Sequence, residues 1–225
     1  ENTAFVGENS PARMVTQASS KITRHSKKGT LLSMILPVYV RALDSSHEEL
    51  VYAMLDTQSD ASFISNEVAR KIGSRGTLET LTLTTLAESR KIKTAKHKLS
   101  IRGYNCRESL TLNAFGQAKI PSNKDQIPCD NHAKKFEHLN SLVLELPPLL
   151  DAPVALLIGI DCAAAFIPIE TMIGKTNEEP FAIKTKLGWT LCGGTGKCDK
   201  GVLSHCVMTL GVLTVVRRKA YYVSR

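Results

Sequence analysis

The sequence is poor in aromatic residues and has no long apolar run. Aromatic residues make up 5% of its 225 residues, and Trp189 is the single tryptophan. Because a membrane-spanning helix needs about 18 or more consecutive apolar residues, we expect no contact with a membrane. The first four residues, 1–4, also lack the basic and apolar regions of a secretory signal. These absences predict a cytoplasmic protein.

Cysteine is too sparse for a disulfide-stabilised secreted scaffold. The six cysteines in 225 residues are more typical of a reducing compartment. One group, Cys192, Cys198, His205 and Cys206, has metal-binding side chains but lacks the short C-x2–4-C spacing of structural zinc sites. We therefore interpret these cysteines as unrelated free thiols and expect neither a metal ion nor another cofactor.

Basic residues outnumber acidic ones, 29 to 21, which gives a formal net charge of +8. The excess is compatible with nucleic-acid contact but does not establish it. One basic run lies between Glu88 and Arg107, and it consists of Arg90, Lys91, Lys93, Lys96, Lys98, Arg102 and Arg107. Such a run is usually a solvated face, and it lacks the interleaved aromatic residues of single-strand binders. It predicts at most a weak nucleic-acid contact through a basic surface.

The composition divides the chain into three parts. Residues 1–30 are polar, mildly basic and without apolar periodicity, which predicts a flexible linker. Residues 31–194 carry the patterned segments and form the predicted domain. For residues 195–225 two interpretations stay open: a C-terminal linker or tail, or a further strand formed by residues 202–216.

The first half of the domain has the alternation and turn residues of β-structure. Residues 36–43 and 50–55 predict two strands joined by a turn, and residues 61–64 predict a third. Residues 66–72 predict a short helix, because Ser65 is a good N-cap and Gly73 a good stop. Further β-patterned segments with polar hairpin tips follow up to residue 114.

The second half of the domain is less regular. Residues 117–141 contain two prolines, several lysines and little periodicity, so they predict an irregular surface insertion with one helical turn around 133–139. Residues 142–146 predict a strand, and the apolar run 154–159 predicts a strand buried on both faces. Asp161 is expected to cap a short helix that ends at Pro168.

The tetrapeptide Asp56-Thr57-Gln58-Ser59 lies between two of these apolar strands. A carboxylate in such a loop is costly unless it is hydrogen-bonded, and the hydroxyls of Thr57 and Ser59 could provide donors. An ordinary Asx-type turn is the competing interpretation, since Asp, Thr and Ser are all common there. The run Leu156-Leu157-Ile158-Gly159 ends in a glycine that could let a backbone pass close beneath this loop.

Together these segments resemble the retropepsin-like aspartic proteases, which carry D-[ST]-G-x within apolar strands and a later apolar–apolar–Gly motif. More narrowly, residues 53–64, 156–161 and 185–193 resemble the protease domain of BEL/Pao-type LTR retrotransposon polyproteins. The resemblance spans residues 31–194. It implies an all-β fold, a retropepsin-like closed β-barrel or sandwich half with one or two short helices, active as a C2 homodimer. It also implies a location in the cytoplasm or within retrotransposon particles.

The resemblance implies a mechanism that one copy of the chain cannot complete. Aspartic proteolysis needs two carboxylates that share a proton, one acting as general base on water while the other polarises the scissile carbonyl. Asp56 and its symmetry mate would supply them, since Asp161 is not followed by a similar motif. By the same resemblance, Thr57 would hydrogen-bond across the dimer axis and Ser59 would steady the Asp56 carboxylate.

The remaining site residues follow from the resemblance as well. Leu157, Ile158 and Gly159 would support the loop from below, and Asp60 would contact the main chain of the substrate. Two positions depart from the family pattern: Gln58 stands where glycine is common, and Ile160 stands where a basic residue is common. The hairpin tip Ala87-Glu88-Ser89-Arg90 is the candidate substrate-covering flap, with an ordinary exposed hairpin as its alternative.

The function implied is that of an aspartic endopeptidase that processes the polyprotein of its own element. The alternative is a catalytically inert module of the same fold that serves in dimerisation or nucleic-acid contact. A chain that stays monomeric outside a larger polyprotein is a third interpretation that the sequence does not separate from the first.

Overall fold

The computed structural model describes residues 30–84 and 89–196, and these residues are mostly β-structure. The strands are β1 (Leu31–Leu32), β2 (Ile35–Ala42), β3 (Glu49–Leu55), β4 (Ser62–Ser65), β5 (Thr77–Thr84), β6 (Ser89–Gly103), β7 (Ser109–Gln117), β8 (Val154–Ile158), β9 (Glu170–Met172), β10 (Phe181–Thr185) and β11 (Gly188–Gly194). The helices are α1 (Asn66–Lys71) and α2 (Asp130–Ala133), with 3-10 turns at Lys124–Gln126, Glu137–Leu142 and Ile160–Ala165. Within the described ranges, no helix has the length and apolar character that crossing a membrane requires.

Six strands form a closed barrel in the order β2-β3-β8-β4-β7-β6, and pairing between β6 and β2 closes it. Alternate residues of each strand point inward, as the period of two in a strand requires. On β2 these are Leu36, Val38, Val40 and Ala42, all at most 1% exposed. The prediction of an all-β fold with a closed barrel and few short helices is confirmed.

The long strand β6 continues beyond the barrel and pairs with β5 in a hairpin. Leu81 and Leu83 of β5 are buried with Phe63, Phe115 and Leu157 on the outside of the barrel. The hairpin therefore folds back over the barrel wall formed by β4, β7 and β8.

A second, four-stranded sheet has the order β1-β11-β10-β9. One of its faces carries Trp189 and Leu191, which pack with Leu139 and Leu142 in a separate apolar cluster. The segment between β7 and β8 thus covers this sheet and holds it beside the barrel.

Several local predictions are confirmed by the structure. The strands β2 and β3 pair as an antiparallel hairpin. Ser65 caps α1 by accepting a hydrogen bond from the Val68 backbone N–H at 3.3 Å. Gly73 has a φ of +67°, a left-handed conformation that favours glycine, and it follows the end of the helix.

The segment 117–141 was expected to be an irregular surface insertion with a helical turn around 133–139. It is irregular, with short helical turns at Asp130–Ala133 and Glu137–Leu142, but it is not confined to the surface. Ile120, Ile127 and Leu139 are at most 2% exposed, and the segment contributes to three of the apolar clusters. The sequence did not predict these contacts, because the few apolar residues of this polar segment show no periodicity. They are nevertheless enough to cover one face of another sheet. The segment is part of the folded core.

The predicted strand over residues 142–146 is also wrong. The Leu146 N–H donates to the Leu142 carbonyl at 2.9 Å, so this stretch forms a helical turn. In a strand Leu142, Leu144 and Leu146 would share one face. Instead Leu142 and Leu146 are buried four residues apart, while Leu144 is 94% exposed.

Candidate active site

Asp56 lies directly after β3, where the chain crosses from one side of β8 to the other. Strand β3 runs parallel to β8, and β4 runs antiparallel to β8 on its opposite edge. The loop 56–61 that joins β3 to β4 must therefore pass over the carboxyl end of β8. The Asp56 N–H donates to the Ile158 carbonyl at 3.0 Å, which anchors the start of the loop to that strand.

Gly159 allows the end of β8 to pass directly beneath this loop. A Cβ atom at position 159 would lie 2.6 Å from the Ala61 carbonyl oxygen and 2.7 Å from that of Ser59. The Ile160 N–H also donates to the Ser59 carbonyl at 2.8 Å. The two backbone segments are thus in direct contact, and a side chain at position 159 does not fit between them.

The other two residues assigned to this support belong to β8 itself. Ile158 is fully buried in the barrel interior, and its neighbour Leu157 points to the outer cluster with Phe63. The carboxyl end of β8 is therefore held on both faces. A loop placed on this strand has a rigid base.

The Asp56 carboxylate is held by the loop and remains partly exposed. Its Oδ1 accepts a hydrogen bond from the Gln58 N–H at 2.9 Å, and the Ser59 N–H donates to the Asp56 carbonyl at 3.2 Å. This is the geometry of an Asx-type turn. The structure therefore shows the Asx-type turn that was one interpretation of the tetrapeptide, and the Asp56 carboxylate is partly exposed.

Thr57 and Gln58 are exposed at the tip of the loop. No residue other than glycine has a positive φ in the described ranges, so Gln58 adopts its backbone conformation without strain. The side chain of Gln58 places an exposed amide next to Asp56 in the loop.

Ser59 does not steady the Asp56 carboxylate, which corrects the role expected for it. Its hydroxyl is fully buried and donates to the Ala61 carbonyl at 2.7 Å. It stabilises the descending half of the loop.

Asp161 does not cap a helix, which corrects a second expectation. The residue before the 3-10 turn is Gly159, and no side chain caps this turn. The Asp161 carboxylate instead accepts hydrogen bonds from the Ser62 hydroxyl at 2.7 Å and from the Ser62 N–H at 3.2 Å. The Ser62 hydroxyl in turn accepts from the Gly159 N–H at 3.1 Å. This network ties the start of β4 to the end of β8 immediately below the loop.

The sequence offered no signal for the Asp161–Ser62 contact. The two residues are 99 positions apart, and neither belongs to a spacing pattern. Only the antiparallel pairing of β4 with β8 brings them together.

The remaining candidates lie next to the loop in sequence or on the separate β5–β6 hairpin. Asp60 is exposed directly after Ser59. Ser89 and Arg90 are exposed at the start of β6, whereas Ala87 and Glu88 lie outside the described residues. The body of the β5–β6 hairpin packs through Leu81, Leu83 and Ile92 against the barrel, so it is anchored beside the strands that carry the loop.

The basic run is divided among different environments. Arg102 forms a two-pronged ion pair with Glu48, with a shortest distance of 2.7 Å, and lies 4.1 Å from the centre of the Tyr39 ring. Lys96 lies 3.4 Å from Glu79. Lys91 and Lys93 are exposed on β6 opposite Thr82 and Thr80. Some of the basic residues that are close in sequence are therefore paired with acidic residues in the folded chain. The uncompensated positive charge on this surface is smaller than the sequence suggests.

Two cysteines, Cys162 and Cys129, are largely buried. Burial raises the pKa of the Cys162 thiol, which therefore stays protonated at neutral pH. Cys129 is 6% exposed, and its Sγ lies 3.2 Å from His132 Nδ1. That nitrogen also accepts from the Cys129 N–H at 3.2 Å, so His132 caps the start of α2. Of the four residues that the sequence analysis considered as metal ligands, three lie outside the described residues: Cys198, His205 and Cys206.

A scan against protein-family models and searches of curated proteins and of solved structures find no match to this chain. No relative therefore supplies a function, a substrate or a residue role. The geometry around Asp56 is the basis on which a function is proposed.

Proposed function

We propose that the chain is one subunit of a homodimeric aspartic endopeptidase, with Asp56 of two copies forming the catalytic pair. The observation that carries this proposal is the placement of Asp56. A partly exposed carboxylate stands on a loop that crosses the buried end of β8, with the backbone of Gly159 in contact beneath it. The carboxylate is held in a fixed position and is still accessible. Both properties are needed in a group that contacts a substrate or a second carboxylate.

The chemistry requires a second carboxylate within a few ångströms. Two such groups cannot both ionise at that distance, so they share one proton and titrate as a coupled pair. The ionised member takes a proton from water, the water oxygen attacks the peptide carbonyl carbon, and the protonated member donates to the carbonyl oxygen. Collapse of the tetrahedral species then breaks the C–N bond and passes a proton to the leaving amine.

Asp161, whose carboxylate joins β4 to β8 below the loop, is unsuited to serve as the second member. Asp161 accepts two hydrogen bonds from Ser62 and is committed to holding β4 against β8. A second copy of Asp56, related by a two-fold axis, supplies an equivalent group without any further residue. In that arrangement Thr57, exposed at the loop tip, lies closest to the partner subunit and bonds across the axis.

The substrate that fits this proposal is an extended peptide. The β5–β6 hairpin is anchored beside the loop and would cover the peptide and exclude water during the reaction. With the resemblance to BEL/Pao-type protease domains, the natural substrate would be the polyprotein that contains this chain. Asp60, Ser89 and Arg90 are exposed, and we infer that they contact its main chain.

The decisive experiment compares Asp56→Asn with the wild-type chain on a polyprotein fragment and on a library of unstructured peptides. We expect wild-type cleavage at mildly acidic pH and a loss of at least about 1,000-fold in kcat for Asp56→Asn. Asp151→Asn is the matched control, because Asp151 is an exposed carboxylate preceding the opposite end of β8. It should cleave at the wild-type rate.

Equal cleavage by Asp56→Asn and the wild type would remove Asp56 from the mechanism. A folded wild-type dimer without cleavage of any peptide would instead favour the inert module of the same fold.

A further inference from the structure

Strand β5 is the open edge of the seven-stranded sheet. At the other end of the sheet, β2 pairs with β6 and closes the barrel. All eight residues of β5 are in register with β6, and within the described ranges no other strand pairs with β5. Alternate residues of an antiparallel strand direct their N–H and C=O groups to the partner strand, so the remaining residues of β5 direct theirs away from β6. Backbone groups on such an edge can bind an added strand.

The sequence of β5 lacks the residues that usually keep an edge strand from pairing. Its eight residues, TLETLTLT, include no proline, lysine or glycine, and its register with β6 has no bulge. Its one charged residue, Glu79, lies 3.4 Å from Lys96 of β6. Four of the eight residues are threonine, which favours an extended backbone. The edge is therefore long, regular and suited to pairing with another strand.

The two faces of the β5–β6 hairpin differ in chemistry. Leu81 faces the barrel and is buried. Because side chains alternate along a strand, Thr80 and Thr82 point to the opposite side, here called the solvent-facing side. The residues opposite them on β6 are Lys93 and Lys91, and both lysines are exposed. The solvent-facing side therefore carries positive charge next to the open edge.

The described part of the chain does not compensate the charges of Lys91 and Lys93. Neither lysine forms an ion pair with a described carboxylate, whereas Lys96 is paired with Glu79. A strand added to β5 would lie two strand spacings, about 10 Å, from β6. Lysine stems lie along neighbouring surface while the charged end stays in water, so both ammonium groups can extend toward that strand. Acidic side chains on its solvent-facing side would complement them.

We propose that the edge of β5 binds an extended peptide segment of a partner protein in which alternate residues are acidic. The main chain of the segment pairs with β5, and its acidic side chains lie on the solvent-facing side near Lys91 and Lys93. A second copy of β5 would bring threonines and further lysines to that side, not carboxylates, so an acidic segment is the better complement. The site is centred on residues 78–82 and does not depend on the role of Asp56.

Hydrogen exchange with a synthetic probe tests the pairing. The probe is a capped peptide of eight residues that alternates glutamate with valine, and the chain carries Asp56→Asn so that the probe is not cleaved. We expect a saturating concentration of the probe to slow exchange of backbone amides within residues 77–84 at least about 5-fold. A peptide with lysine in place of glutamate should give no protection. A glutamate peptide whose two central valines are replaced by proline should also fail, because proline cannot donate to the added ladder.

Charge reversal tests the role of the two lysines. Lys91→Glu/Lys93→Glu should weaken binding of the glutamate probe at least about 10-fold and should allow the lysine peptide to bind instead. Lys124→Glu/Lys186→Glu is the matched control, because it changes the net charge equally at two exposed lysines outside the β5–β6 hairpin. The control should keep the affinity for the probe within about 2-fold, since distant surface charges are screened by salt.

Three results would overturn the proposal. Protection of residues 56–61 by the probe, with β5 unaffected, would place the peptide at Asp56 and not at the sheet edge. Equal binding of the proline-containing peptide would show that charge alone attracts the probe. Protection of β5 that increases with chain concentration in the absence of the probe would identify a second copy as the occupant.

Discussion

At the scale of single residues, the site depends on which atoms fit beneath one loop. Gly159 is required by contact distance, because the carbonyl oxygens of Ala61 and Ser59 occupy the space a side chain would need. Its φ is not positive, so conformational freedom is not the reason for glycine here. The loop and β8 are consequently a single rigid unit.

Gly159→Ala should lower the free energy of unfolding by about 1–3 kcal/mol, because the added methyl group meets backbone atoms that have no rotamer to relax. Cleavage should also fall, since the loop must move away from β8. Gly194→Ala is the matched control in another strand, where the nearest atom to the new Cβ is 3.8 Å away. Chemical denaturation of both variants checks the difference, and equal stabilities would refute the close approach.

Two buried histidines make the free energy of unfolding depend on pH. His97 is 5% exposed with Nδ1 2.9 Å from the Ser74 hydroxyl, and burial lowers the pKa of its imidazole. Burial is also the main cause that lowers the pKa of His132. Just below pH 6.5 the unfolded chain therefore binds more protons than the folded one.

The stability contributed by these two histidines should be present above about pH 6.5 and decrease as the pH falls below it. We expect the denaturation midpoint of the wild type to fall between about pH 7.5 and pH 5.5. His97→Asn/His132→Asn should flatten this dependence while keeping an acceptor near each Nδ1 position. His47→Asn, at an exposed histidine, should retain the wild-type slope. An unchanged slope in the double variant would contradict the assignment.

At the scale of elements, the loop is stabilised where β4 begins and β8 ends. Asp161 and Ser62 join these elements through three hydrogen bonds that also involve Gly159. Ser62 is fully buried, so its N–H and hydroxyl depend on these partners.

Asp161→Ala should destabilise the chain by about 1–3 kcal/mol, because it leaves buried donors of Ser62 without an acceptor. Asp161→Asn keeps one carbonyl oxygen and should cost less. Thermal or urea denaturation measures both variants. The double variant Ser62→Ala/Asp161→Ala should lose less stability than the sum of the two single variants, because both changes remove the same contact. A fully additive loss would mean that Asp161 and Ser62 do not interact.

At the scale of the whole molecule, the proposed reaction centre is completed only by a second copy. The dimer makes cleavage depend on chain concentration and on subunit mixing. These dependences separate the proposed homodimer from any centre contained in one chain.

Mixing wild-type and Asp56→Asn chains in equal amounts, with refolding to exchange subunits, should leave about half of the activity per wild-type chain, because random pairing places half of these chains in inactive heterodimers. Specific activity should also fall on dilution. Mixing without subunit exchange is the control and should preserve activity. Activity that is unaffected by both mixing and dilution would sink the homodimer.

Much of the fold followed from local patterns in the sequence. Strand-forming residues around a turn specified β2 and β3, an unbroken apolar run specified β8, and a serine and a glycine delimited α1. The Asx-type turn at Asp56 also followed from local sequence, since Asp, Thr and Ser are common in such turns. These features are local, since side-chain periodicity and turn chemistry act within a few residues.

The tertiary structure alone determined the contacts between residues that are far apart in the chain. The sequence determined that residues 142–146 are apolar, but packing against Trp189 and Leu191 selected a helical turn over a strand. It placed Ser59 near Asp56, but the descending backbone directed its hydroxyl to Ala61. The partnership of Asp161 with Ser62 exists only because β4 pairs with β8. Short-range patterns determine which elements form, whereas hydrogen-bond partners and burial depend on which strands become neighbours.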